Sequence, residues 1–121
     1  MQEQIHEKFK IFRGKANGGS FTQVFKDIEG FANLPNHSAK SIGVEYLEQA
    51  DELLITLGYT DIEGQGNDIA IKLIPVGNIS EEPSLLESKI AQAAQSLTQV
   101  ICHAFYVTKN NDMEIVFMYD I

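Results

Sequence analysis

The sequence predicts an α+β domain. The expected form is a two-layer sandwich: an antiparallel sheet of about five strands with two main helices on one face, in the order α-β-β-β-α-β-β. Three observations lead there. Two stretches repeat apolar residues at helical spacing, each behind a helix-start signal. Several others alternate apolar and polar residues with period two. The links between successive strands are short and polar, which suits hairpins, because parallel neighbours need a long crossover. The 121 residues fit a single domain, 1–121, large enough to bury a core without metal or disulfides.

Residues 1–19 read two ways. Ile5, Phe9 and Phe12 are spaced as on one helix face. Phe9 and Ile11 alternate with Lys8 and Lys10, which suits a short strand equally well. Asn17, Gly18 and Gly19 end that segment. Ser20 then starts the first helix, and Gln23 completes an S-x-x-Q capping box. Phe21, Val24, Phe25, Ile28 and Phe31 form its apolar stripe, read as core, and Asn33-Leu34-Pro35 ends it.

Residues 41–74 read as three strands. Ile42, Val44 and Tyr46 alternate with polar or small residues, as do Leu53, Ile55, Leu57 and Tyr59. A turn at 63–67 leads into a third run, Ile69 to Ile74. Pro75 removes a ladder donor and Gly77 loosens the backbone, so this strand is expected to stop there. Ser80 is the expected N-cap of the second helix, with Glu81, Glu82 and Pro83 suited to its first turn. Its buried stripe is Leu86, Ile90, Ala93 and Leu97. The expected end lies between Leu97 and Ile101, although the stripe can continue to Ala104 and Val100 to Val107 also reads as a strand. A hairpin closes the chain, turning at Lys109-Asn110-Asn111-Asp112 and returning through Met113 to Tyr119.

Charge narrows the function. The net charge is -8, yet residues 1–40 hold six of the nine bases and only four of the seventeen acids. The acidic remainder repels phosphate backbones, which argues against nucleic-acid binding. The basic cluster Lys8, Lys10, Arg13 and Lys15 is read as a solvated segment, with contact to an acidic partner as the alternative. The polar N-terminus has no signal-peptide pattern, and no apolar run suggests a membrane span. With Cys102 the only cysteine, a cytoplasmic setting is expected.

Motifs for chemistry are scarce. Asp61 to Lys72 places oxygen donors and a glycine as in a calcium loop, but Lys72 stands where a bidentate glutamate is needed. His6, His37 and His103 have no ligand spacing, and Cys102 reads as a small buried thiol. No nucleophile elbow, phosphate loop or dinucleotide fingerprint occurs. No catalytic, cofactor or metal residue is therefore assigned.

The stretch LIPVGNISEEPSLLESKI passes from a strand through Pro75 and Gly77 onto a helix. That passage, with the order α-β-β-β-α-β-β, resembles the type III secretion chaperone-like fold. The resemblance covers roughly residues 20–121. It implies a small dimeric protein that holds an unfolded stretch of a partner against apolar surface. The expectation is a non-enzymatic protein-binding or assembly module of chaperone-like kind, forming a homodimer. The alternatives are a small-molecule-binding or enzymatic domain with a pocket between helix and sheet, and a purely structural subunit. The last strand is apolar on both faces, so Val116, Phe117 and Met118 are the expected interface residues.

Overall fold

The computed structural model describes residues 6–16, 20–62, 66 and 68–121, with residues 20–22 described by their backbone alone. The elements are β1 (Lys8–Lys15), α1 (Ser20–Ala32), β2 (His37–Leu47), β3 (Glu52–Asp61), β4 (Ile69–Asn78), α2 (Pro83–Gln95), β5 (Gln99–Val107) and β6 (Asp112–Asp120).

A single five-stranded sheet is not what forms. The described residues form two three-stranded antiparallel sheets, ordered β1-β3-β2 and β4-β6-β5. Two features produce the difference. First, the alternation of Lys8 to Lys15 is that of a strand, and the whole of β1 pairs with residues 52–59 of β3. Second, β4 does not fold back on β3. The segment after Asp61 carries the chain across to the second sheet, where β4 pairs with β6. A short polar link suits a hairpin, but it is also long enough to change sheets.

Cα atoms of β2 and β5 come within 8 Å of each other along these strands. Stacked sheets lie about 10 Å apart. The two sheets therefore adjoin along β2 and β5 rather than facing each other. The rings of Tyr46 and Tyr106 stack at one end of this seam, with centroids 6.4 Å apart.

Nor do the helices share one face. Side chains alternate across a strand. On β6, Val116 and Met118 join the main core with Ile28, Ile42, Leu53, Ile55 and Leu57. Ile115 and Phe117 point the other way, into a second cluster with Leu86, Ile90, Ala93 and Leu97. α1 thus serves the inner face of both sheets, and α2 covers the outer face of the β4-β6-β5 sheet.

Element boundaries differ from expectation for local reasons. β4 runs through Pro75 to Asn78, because the Pro75/Gly77 step is a bulge on an edge strand, where proline is tolerated. Gly77 sits at φ 150°, a conformation that favours glycine. The N-cap of α2 is Glu82, not Ser80, whose hydroxyl instead donates to Asn78 Oδ1 at 2.8 Å. α2 ends at Gln95, earlier than its apolar stripe suggests, since Leu97 packs from beyond the helix and residues 99–107 enter a ladder with β6. The Ser20 cap, the Phe21 side chain and most of the 63–67 turn lie outside what is described. Gln23 donates to Asp27 Oδ1 at 2.8 Å.

α1 and Asn33, the residue just beyond it, also complete the edge of β4. Ile69 N–H donates to Asn33 Oδ1 at 2.7 Å, and Asn33 Nδ2 returns a bond to Ile69 O at 3.0 Å. Ile71 N–H donates to Glu29 Oε1 at 2.9 Å. The side chains of the helix act here as a substitute strand. Against β1 the same helix packs closely: a Cβ on Gly14 would overlap the side chain of Val24. Among the described residues, no helix is long and apolar enough to cross a membrane.

Candidate functional site

Strand alternation decides which apolar residues are left uncovered. Phe12 meets Phe31 edge-on at 6.0 Å and Gly14 meets Val24, so the even positions of β1 face α1. Phe9, Ile11 and Arg13 therefore point away from the core. Phe9 is 63% and Ile11 61% exposed. On β5, Tyr106 is buried in the core, which turns Phe105 and Val107 outward. They are 40% and 37% exposed, although Ile115 and Phe117 on the neighbouring strand lie under α2. Between β1 and β5, Gly43 of β2 is equally open: a Cβ placed there meets nothing within 4 Å. Among the described residues, no helix covers the outer side of β1 or the Phe105–Val107 end of β5, although α2 reaches the other end of β5 at Val100.

Charges frame the surface. Arg13 forks onto Glu52, with bonds of 3.2 and 3.0 Å. That guanidinium holds the Glu52 carboxyl below the usual carboxylate range. Lys8 pairs with Asp61 at 3.3 Å. Lys10 lies over the Phe31 ring at 5.7 Å, and Lys15 donates to Ala50 O at 3.3 Å. Lys15 also lies near enough to Glu52 to help hold its carboxyl low, whereas Lys10 makes no ion pair among the described residues.

A crevice of about 300 Å³ opens at the end of the seam, beside Ala16, Tyr46, Asp51, Thr108, Lys109 and Asp112. The Tyr46 hydroxyl donates to Asp51, which raises its pKa. Tyr106 donates to Glu114; burial, then that carboxylate, pushes its pKa up. Both phenols stay protonated near neutral pH, so neither offers a phenolate nucleophile. Asp51 adopts φ 51°, as the turn into β3 requires.

Of the residues noted in the sequence, Cys102 pairs with Met118 and His103 with Phe117 across β5 and β6. Val116 and Met118 are fully buried in the main core and Phe117 is 3% exposed under α2, so both faces of β6 are covered within one chain. Burial pushes the Cys102 thiol up to about 11. His37 Nδ1 lies 2.7 Å from Phe31 O, whereas His103 packs against Phe105 and Phe117. Among the described residues, no His, Cys, Asp and Glu group is placed to hold a metal. The exposed quartet Phe9, Ile11, Phe105 and Val107 is not evident as a site from the sequence. The alternation Lys8-Phe9-Lys10-Ile11 was its one visible signal.

No protein-family model, curated protein or solved structure matches the chain. The resemblance to secretion chaperones rests on element order alone.

Proposed function

We propose that the protein is a non-enzymatic protein-binding or assembly module, acting through the uncovered outer side of β1 and β5. The observation that carries this reading is the exposure of Phe9, Ile11, Phe105 and Val107 on strands whose other faces supply the core. Exposed large apolar side chains on a sheet with no covering layer mark interaction surfaces. The chain's charge of -8 favours protein partners over nucleic acid. A chaperone-like role, homodimer formation and a cytoplasmic setting belong to the same proposal. Because β6 is covered on both faces, a dimer contact falls on β5 or β1.

Site-specific photo-crosslinking in cells tests this. A benzophenone side chain replaces Phe105 in one variant, Phe9 in a second, and the exposed helical residue Gln92 in a control. Protein adducts at Phe105 or Phe9 but not at Gln92 are expected, and an adduct of twice the chain mass identifies the dimer. Equal yields at all three positions, or no adducts, overturn the reading.

A further inference from the structure

The backbone of β1 carries information beyond its side chains. Ala16 N–H donates to Asp51 O at 2.9 Å, and this pair continues the β1–β3 register. In an antiparallel ladder, hydrogen-bonded and non-hydrogen-bonded pairs alternate. Lys8, Lys10, Phe12 and Gly14 therefore bond to β3, while the N–H groups of Phe9, Ile11, Arg13 and Lys15 point to the free edge. Among the described residues none of those four N–H groups has a partner, and Lys8 to Ile11 are all exposed.

The opposite edge of the fold is treated differently. Ile121 N–H donates to Asp68 O, so on β4 the outward residues are Ile69, Ile71, Leu73 and Pro75. Asn33 and Glu29 occupy the N–H groups of Ile69 and Ile71, and proline has none. Between Ile69 and Pro75, only Leu73 keeps an outward N–H without a partner among the described residues. Exposed strand edges are hazards that proteins usually blunt. Here one edge is blunted by a helix and a proline, and the other is left as a row of free donors.

We infer that the free edge of β1 accepts an extended acidic segment of another protein as an added strand. The inference rests on the protein-binding reading and names its mode and partner chemistry. Main-chain bonds to Phe9, Ile11 and Arg13 supply the pairing, and Phe9 and Ile11 offer contact on the outer face. Charge selects the occupant. β1 holds Lys8, Lys10, Arg13 and Lys15 and no acid; Lys10 makes no ion pair among the described residues, and Lys15 shares Glu52 with Arg13. A second copy's β1 would add four more cations to this edge, whereas an acidic strand meets complementary charge.

The test uses the full chain and three fluorescein-labelled ten-residue peptides, alternating Val with Glu, Ser or Lys. Fluorescence anisotropy is read at low salt. Tightest binding is expected for the Glu peptide, weakening as salt rises. Ile11→Pro removes an outward N–H but no β1–β3 bond, and is expected to weaken that binding about tenfold. Lys10→Glu with Lys15→Glu is expected to invert the preference toward the Lys peptide. On binding, amide exchange at Phe9, Ile11 and Arg13 should slow. Circular dichroism checks folding; if Ile11→Pro does not fold, the charge reversal and the exchange pattern decide. Equal binding of all three peptides, or an unaltered affinity in folded Ile11→Pro, overturns the inference. So does a dimer, formed without peptide, that Ile11→Pro dissociates, since the occupant is then a second copy. If crosslinks still form at Phe105 while the Glu peptide is ignored, the protein-binding reading stands and only this inference falls.

Discussion

At Gly14, one hydrogen atom decides how near α1 can come to β1. Gly14→Ala places a methyl group against Val24 and should cost roughly 1–3 kcal/mol. Gly43→Ala meets open space and should stay within about 0.5 kcal/mol of the parent. Urea titrations of the two variants check the contrast. Cys102 offers a second residue-scale prediction. A thiol pushed from 9.0 to about 11 carries little thiolate at pH 8. Alkylation of the folded protein should be about a hundredfold slower than of the unfolded chain, and quenched-label mass spectrometry measures it. Glu52 and Glu81 are held low, by Arg13 and by Lys89 respectively. A depressed folded value means their stabilisation is present above pH 4.5, the ordinary carboxylate value, and is lost as pH falls through the lowered values. The urea midpoint should therefore drop on acidification below that point, and Glu52→Gln should flatten the drop.

The two helices differ in how firmly they are held. α1 has Ile28 fully buried in the main core and side-chain bonds from Glu29 and Asn33 to the backbone of β4. Ile28→Ala should cost about 2–5 kcal/mol. Asn33→Ala leaves the Ile69 N–H and C=O unpaired at a partly buried site and should cost about 1–3 kcal/mol. α2 has no fully buried residue and no side-chain cap bond, and it is held by the partly buried Leu86, Ile90, Ala93 and Ala94. Its amides should exchange through a local opening well below the global unfolding free energy, whereas those of β3 and β6 should exchange only on global unfolding. Native-state hydrogen exchange separates the two classes.

Two sheets share one core, and Met118 belongs to it: it is fully buried, on the central strand β6, in the cluster that includes Leu53, Ile55 and Leu57 of β3. Met118→Glu places a carboxylate there without a partner and should unfold the chain rather than release a folded monomer, which circular dichroism would show. Much of the fold was legible in the sequence. Both helices, the alternating faces of β2, β3 and β6, and the need for a second layer over β6 follow from spacing alone. Pairing was not legible. A seven-residue step from Asp61 to Ile69 looks the same whether it turns back or changes sheets, and only the three-dimensional partner of β4 distinguishes them. The candidate surface was half legible: the Lys8-Phe9-Lys10-Ile11 alternation marks a strand, but which face stays bare depends on where α1 and α2 settle. The closure of β4 by Asn33, Glu29 and Pro75 has a consequence for growth. Sheet-to-sheet addition needs an acceptor edge on every molecule that joins, and among the described residues β1 alone presents a row of unpartnered N–H groups. A strand added at β1 ends the sheet there, and two molecules meeting at β1 make a closed pair with no further edge to offer. The molecule can be a terminus or half of a couple, but not a link in a fibre.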